Sequence, residues 1–218
     1  WGWKQRYSTQ QRDEIQQAHL AIFHDILPSA VEKYTDGDYY WPSSPMSGDK
    51  PNQHSNYTSG DVHYWGVWHG LHKFSEFETN IGRFMSEYGF QSFPAFETVK
   101  KYALPEDYSI ESEVMAAHQR SGIGNLRIRE YMSWDYNVPT DFEQFLYVGQ
   151  LLQSRGIKAA IEAHRRAMPF CMGSLYWQIN DCWPVASWSS TDYYHNWKAM
   201  HYMAKKAFEP VTLSMTEE

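Results

Sequence analysis

The chain has 218 residues, which suffices for one domain with a sizeable core. Its formal net charge of -7 disfavours a nucleic-acid partner, because phosphate binding requires a basic surface. No apolar run approaches the roughly 20 residues that cross a bilayer, so we expect no membrane partner.

The N-terminal region predicts a helix that starts near Gln10, with Ser8 or Thr9 as its cap. We expect Pro28 to kink or restart this helix, and Gly37 to end the region. Apolar residues recur along it at helical spacing, namely Ile15, Ala18, Ile22, Phe23 and Ile26.

Further along the chain, four short stretches read as strands, at residues 38–41, 61–65, 83–87 and 170–178. Residues 46–60, rich in Ser, Asn, Gly and Pro, form a predicted loop. Helices are expected at residues 74–79, 95–103, 109–120, 140–168 and 196–208. Strands separated by helices or long loops predict an α/β fold with parallel strands.

Aromatic residues make up 17% of the chain, with ten Trp and sixteen Tyr, and many of them stand beside polar or turn residues. Aromatic rings at loop mouths suit sugars, whose C–H faces pack on ring faces while the hydroxyls seek polar edges. Plain packing of aromatic side chains under loops is the alternative.

Metal chemistry finds little support in the sequence. Cys171 and Cys182 form neither a disulfide scaffold nor a metal motif and read as free buried thiols. His63, His69 and His72 are candidate ligands, and the last two are three residues apart, but no carboxylate completes a ligand set at a convincing spacing. We therefore expect no metal and no other cofactor.

The strongest candidate for chemistry is Glu87. It ends a predicted strand, and a Tyr-Gly turn follows it directly. In a barrel of parallel strands, residues at the carboxyl ends of the strands face the active site, so a carboxylate there is a credible nucleophile. Taken alone, the position more often holds a solvated or ion-paired glutamate.

A family resemblance sharpens this reading. Residues 84–94 read FMSEYGFQSFP and resemble the nucleophile segment of the β-mannosidases of glycoside hydrolase family 2. Three further motifs stand in the family's order and resemble the ends of its fifth, sixth and eighth strands: YWPSSP at 40–45, GDVHYW at 60–65 and GSLYWQINDCWP at 173–184. The resemblance spans nearly the whole chain and thins after about residue 210.

The fold that this resemblance implies is the C-terminal half, about strands 5–8, of a TIM (β/α)8 barrel. Residues 1–210 would form this half of a catalytic domain, and residues 211–218 a tail or the start of a linker. Four predicted strands agree with a half barrel, because a complete barrel needs eight strand-helix units and about 250 residues.

The chemistry that the resemblance implies is a double displacement in which Glu87 attacks the anomeric carbon and a second carboxyl acts as acid and base. The family carries that acid/base in an Asn-Glu pair, ahead of a segment resembling WGW at residues 1–3. This sequence contains no Asn-Glu pair, so we expect the acid/base upstream of residue 1 and an inactive isolated chain. Trp1 and Trp3 would then line the same pocket mouth.

Four other residues are expected to bind the sugar. Trp177 on the eighth strand would lie under the sugar of the first subsite. The alternative is that its side chain only packs within the protein interior. Tyr64 would hydrogen-bond the nucleophile, unless Trp65 is the inward residue, because strand alternation points only one of them into the site. Trp41 would wall the pocket.

The expected substrate is a mannoside or a mannose-containing oligosaccharide. β-Galactosidase or β-glucuronidase relatives of the same family are alternatives, as are a non-catalytic carbohydrate-binding module and a structural domain; the long helices disfavour a sandwich-like module. A half barrel has open edges, so the rest of a longer chain or a second copy is expected to cover them. The compartment stays open, periplasmic or secreted in a bacterium and lysosomal in an animal.

Overall fold

The computed structural model describes residues 3–47 and 56–216. The predicted pocket role of Trp1 and most of the loop predicted at 46–60 lie outside these residues.

The N-terminal helical segment comprises α1 (Trp3–Arg6), α2 (Thr9–Leu20) and α3 (Leu27–Tyr34), with a π-helical turn at Ala21–Ile26. Ser8 caps α2: its hydroxyl accepts from the backbone N–H of Gln11, whose side chain accepts from the N–H of Ser8. Pro28 lies in the first turn of α3, where a missing N–H is tolerated. The predicted helix, its cap and its restart are confirmed.

Two parallel strands form the sheet, β1 (Val62–His63) and β2 (Met85–Glu87), with an irregularity in register between their two pairs. A third stretch, residues 172–177, runs beside β2 on the side away from β1. It is held by single hydrogen bonds, among them Leu175 N–H to Met85 O at 2.8 Å and Trp177 N–H to Tyr88 O at 2.8 Å. The three stretches lie side by side in the same order in which they occur along the chain.

Two of the four predicted strands are not strands. Residues 38–41 are irregular, and the nearby Trp41 and Ser44 reach Asp61 through their side chains rather than through a backbone ladder. The prediction at 170–178 is reduced to one isolated bridge at Ser174. Phe170 and Cys171 instead donate their N–H groups to Ala167 O in the turn that closes the preceding helix.

The remaining helices pack around the sheet. They are α4 (Phe96–Val99), α5 (Glu113–Ala117), α6 (Gly124–Asp135), α7 (Phe142–Arg166) and α8 (Ala199–Ala207), with 3-10 turns at Phe74–Glu78 and Pro105–Asp107. Each predicted helix is present, and α6 was not predicted. No helix within residues 3–47 and 56–216 has the length and apolarity of a membrane span.

The core lies between the sheet and α6, α7 and α8, and aromatic rings fill much of it. Trp68, Phe90 and Tyr131 are fully buried, and their rings meet edge to face, with centroids 5.1 Å apart for Trp68 and Phe90 and 4.9 Å for Phe90 and Tyr131. A large part of the aromatic content therefore serves packing.

Candidate active site

Glu87 ends β2, and its carboxylate is held by two groups from the end of the neighbouring strand. The indole N–H of Trp65 donates to Oε2 at 3.1 Å. The Nδ1 atom of His63 lies 3.3 Å from the same oxygen. Both contacts fall on one oxygen, and the side chain remains about a quarter exposed. Glu87 is therefore oriented and open to solvent, as a nucleophile must be.

The carboxylate of Asp61 is fixed by hydrogen bonds from two neighbouring segments of the chain. Its Oδ1 atom accepts from the backbone N–H of Met46 at 2.8 Å and from the indole of Trp41 at 3.3 Å. Its Oδ2 atom accepts from the hydroxyls of Ser44 and Ser86, each at 2.5 Å. Burial by itself raises the pKa of Asp61, but these hydrogen bonds outweigh it and hold the pKa below its ordinary value. Asp61 is thus a fixed anion.

His63 joins the two carboxylates. Its Nε2 atom lies 3.0 Å from the hydroxyl oxygen of Ser44, which itself contacts Asp61, while its Nδ1 atom faces Glu87. A continuous polar chain thus runs from Asp61 through Ser44 and His63 to Glu87.

Tyr64 points away from the site. Its ring is buried in the core, and its hydroxyl lies 2.9 Å from Nδ1 of His72. Burial raises the pKa of the Tyr64 hydroxyl. The expectation that Tyr64 contacts Glu87 is corrected: Trp65 occupies that place, because successive side chains at the end of β1 alternate between core and site.

The loop that follows Trp65 has a strained backbone. Trp68 has φ 77° and Leu71 has φ 57°, a backbone region that large side chains rarely adopt. The conformation is held because the Trp68 N–H donates to the Tyr131 hydroxyl at 2.9 Å and Gly70 N–H donates to Trp65 O at 3.1 Å. The loop therefore fixes the direction of the indole that binds Glu87.

Gly89 allows the site to close behind Glu87. A Cβ atom there would lie 2.4 Å from the carbonyl oxygen of Trp177 and 3.0 Å from the Trp65 ring. The glycine of the Tyr-Gly turn is thus required by the close approach of two neighbouring segments.

Two of the tryptophans that are expected to bind the sugar, Trp177 and Trp41, are partly exposed near the ends of the strands, whereas Trp3 lies in the N-terminal segment. The backbone of Trp177 runs beside Tyr88 and Gly89, next to Glu87 in the chain, and its ring is 43% exposed. Trp41 is 39% exposed and joins the site through its bond to Asp61. Trp3 packs edge to face on Tyr7 in the N-terminal segment, with ring centroids 5.7 Å apart.

The sequence assigned Ser44, Asp61, His63 and Ser86 no part in positioning Glu87, although all four lie in the motifs at 40–45, 60–65 and 84–94. The available signal was periodicity: His63 and Trp65 are two residues apart in an extended segment, so both share the face opposite Val62 and Tyr64.

Comparison with known proteins gives a consistent picture. No protein-family model matches the chain. β-Mannosidase B of Aspergillus niger is 34% identical over 202 residues, which is 90% of this chain and 24% of that protein. A crystal structure of β-D-mannosidase from Dictyoglomus thermophilum matches with a TM-score of 0.81 at 37% identity, over 86% of this chain and 23% of that chain. The exo-chitosanase CsxA of Amycolatopsis orientalis matches with a TM-score of 0.51 at 25% identity, over 58% of this chain and 16% of that chain.

The structural match over 86% of the chain thus places it among the glycoside hydrolases. It belongs to the β-mannosidases of glycoside hydrolase family 2, as the motif at residues 84–94 indicated. The chain spans about a quarter of the length of the curated relatives it matches.

Proposed function

We propose that the chain is the C-terminal half, about strands 5–8, of the catalytic (β/α)8 barrel of a retaining β-mannosidase, with Glu87 as its nucleophile. The observation that carries the proposal is the carboxylate of Glu87, which lies at a strand end and is oriented by Trp65 and His63. The half barrel is supported by the parallel order of β1, β2 and residues 172–177, with a 3-10 turn between the first two stretches and α4 to α7 between the last two. Residues 211–218 would lead toward a following domain.

The proposed reaction removes a terminal β-D-mannose by double displacement. Both contacts to Glu87 in the described part of the chain fall on Oε2, so Oε1 is the oxygen that attacks the anomeric carbon. The glycosidic bond breaks, the leaving oxygen takes a proton from a second carboxyl group, and a mannosyl ester forms on Glu87. Water, deprotonated by that second group, then attacks the anomeric carbon and releases mannose and the carboxylate.

We expect the second carboxyl group to come from outside this chain. Asp61 is the acid that the polar chain connects to Glu87, but its two oxygens accept four hydrogen bonds and its pKa is lowered. A general acid needs the opposite, a raised pKa and a free proton. Retaining enzymes hold the two carboxyls about 5–5.5 Å apart, and the family resemblance assigns the partner to an Asn-Glu pair ahead of residue 1.

Trp177, with its half-exposed ring beside the Tyr88–Gly89 turn, is the proposed platform for the sugar in the first subsite. The geometry suits the flat apolar face of a pyranose. Trp41 would form part of the pocket wall next to Asp61.

The N-terminal helical segment offers a surface for the remainder of a longer protein. None of the residues in α1, α2, the π-helical turn or α3 is buried. Its exposed apolar side chains include Ile15, Ile22, Phe23, Ile26 and Leu27. An apolar stripe of this size is costly in water, so we propose that the preceding barrel strands cover it in the longer protein, and that a second copy covers it when the chain is alone.

Sedimentation of the isolated chain tests this covering. We expect association that depends on concentration and that is weakened by Ile22→Glu with Ile26→Glu. Gln17→Glu, an exposed change on α2, is the matched control and should leave association unchanged. A chain that stays monomeric across the accessible concentration range contradicts the proposed surface.

The nucleophile is tested by covalent labelling of the longer protein with a 2-fluoro mannosyl fluoride, followed by peptide mapping. The fluorine slows both steps, and the good leaving group lets the ester accumulate. We expect the label on Glu87, and none in Glu87→Gln, whose side chain is nearly isosteric and should preserve the fold. A label on another residue refutes the assignment, and labelling by the galactosyl reagent in preference to the mannosyl one favours a β-galactosidase.

A further inference from the structure

The chain turns back on itself directly after the proposed sugar platform. Gln178, the residue that follows Trp177, donates its backbone N–H to Trp188 O at 3.2 Å. Its own carbonyl oxygen accepts from the N–H of Ser190 at 2.9 Å. The backbone next to the Trp177 ring is therefore held by the returning part of the same loop, residues 187–190.

The carboxylate of Asp181 joins the outgoing and returning parts of this loop. Its oxygens accept from the hydroxyl of Ser187 at 2.7 and 2.9 Å and from the hydroxyl of Ser189 at 2.5 Å. Its Oδ1 atom also accepts from Nε2 of Gln178 at 3.3 Å. Both serines are buried, so their hydroxyls cannot turn to water instead, and a hydroxyl without an acceptor there would be costly.

The returning part of the loop is itself fixed to the segment that carries Glu87. Ser187 and Ser92 exchange two backbone hydrogen bonds, at 3.0 and 3.1 Å. The buried ammonium of Lys198 donates to the carbonyl oxygens of both residues, at 3.1 Å for Ser92 and 3.2 Å for Ser187. Through Ser187, the loop is thus held in place relative to the candidate nucleophile.

We propose that Asp181 is a positioning residue that sets the place of the Trp177 ring relative to Glu87. It does so by tying the residue after Trp177 to the fixed, returning part of the loop. The inference rests on the proposed role of Trp177 as the sugar platform. A carboxylate accepts hydrogen bonds on both of its oxygens, whereas an amide accepts on one side only, so Asp181→Asn should loosen this link.

A double-mutant cycle in the longer protein tests the inference. The kcat/KM for an aryl β-mannoside is measured in the unaltered protein, Asp181→Asn, Trp177→Ala and the double variant, with the fraction of intact sites counted by covalent labelling. We expect Asp181→Asn to lower kcat/KM about 10-fold when Trp177 is present. In the Trp177→Ala background we expect a loss of less than about twofold, because the ring through which Asp181 acts is gone.

A purely structural role of Asp181 gives a different result. If this residue only stabilises the fold, its replacement lowers kcat/KM by the same factor in both backgrounds, or not at all once the intact sites are counted. Either result overturns the inference. Thermal unfolding shows whether each variant is folded.

Ser189→Ala provides a second test of the same link should Asp181→Asn fail to fold. It removes one of the donors to the carboxylate, and we expect a loss of about threefold that is likewise absent in the Trp177→Ala background. Asn180→Ala is the matched control, because it changes an exposed side chain of the same loop and keeps the backbone oxygen that accepts from Gln178. It should leave kcat/KM unchanged.

Failure of the proposed function is recognised separately. A label on a residue other than Glu87 refutes the proposed nucleophile, whereas the cycle still decides the role of Asp181. An unchanged kcat/KM in Trp177→Ala refutes the sugar platform and this inference together. A loss in Trp177→Ala, with equal losses from Asp181→Asn in both backgrounds, refutes this inference alone.

Discussion

The indole N–H of Trp65 and the Oε2 atom of Glu87 lie 3.1 Å apart at the ends of neighbouring parallel strands. The strained loop at Trp68 and the close approach at Gly89 hold the indole in this direction. The donor is thus built into the scaffold, so no ordering of the side chain is needed when substrate binds.

Trp65→Phe in the longer protein should lower kcat about 10- to 100-fold, because it removes a hydrogen bond to a charged group while keeping most of the ring volume. Steady-state kinetics on an aryl β-mannoside would measure the change. Trp134→Phe, which alters a partly exposed ring on α6, serves as the comparison and should have little effect. An unaltered kcat in Trp65→Phe means that the indole does not act on the nucleophile.

Trp177→Ala should weaken both substrate binding and turnover. Loss of a stacked aromatic face costs on the order of 1–3 kcal/mol, which is about 5- to 150-fold in kcat/KM. Because the ring is half exposed, the fold should tolerate the change, and thermal unfolding would check this. Equal kcat/KM in the two proteins would assign Trp177 to packing alone.

The sequence located the helices better than the strands. Buried positions in α7 recur at helical spacing over many turns, a pattern that local contacts reinforce. Strands depend on distant partners: residues 38–41 have the composition of a strand but no ladder, and the start of the 170–178 stretch belongs to a turn that follows α7. Helix α6 was missed although its buried positions, from Gly124 to Met132, also follow helical spacing, because several of them are polar or small.

The site was predictable only in part for the same reason. Glu87 can be proposed from the sequence because its neighbours along the chain form a motif. The partners of Asp61 come from two other segments, and Ser44 and Ser86 are 17 and 25 residues away from it. No local pattern joins such residues. Their meeting follows from the packing of the 41–46 segment across the ends of β1 and β2.

Lys198 precedes α8 and is buried at 2% exposure, where its ammonium donates to the carbonyl oxygens of Ser92 and Ser187 at 3.1 and 3.2 Å. Burial lowers its pKa to about 7, and the charges of Asp181 and Asp192 oppose this only in part. Between pH 7 and its ordinary value of 10.5, the unfolded chain therefore binds more protons than the folded chain.

The free energy of unfolding should accordingly rise with pH across this window, by up to roughly 1.4 kcal/mol per pH unit from this group. Chemical denaturation of the chain at a series of pH values would measure it. Lys198→Met should remove this contribution to the slope, whereas Lys205→Met, an exposed change on α8, should retain it. Identical slopes in the unaltered chain and Lys198→Met would show that the buried amine does not change its protonation on folding.

The isolated chain should hydrolyse unactivated β-mannosides far more slowly than a complete enzyme. General acid catalysis contributes about 10²–10⁴-fold, and the anionic, fully bonded Asp61 cannot supply it. Substrates with good leaving groups need little protonation, so an activated aryl mannoside should lose less of its rate than mannobiose does. The rates of the two substrates are therefore compared in the isolated chain and in the longer protein. The difference between the two rate losses gives the contribution of general acid catalysis. Robust turnover of mannobiose by this chain would require an acid/base within its own sequence and would refute the proposed half barrel.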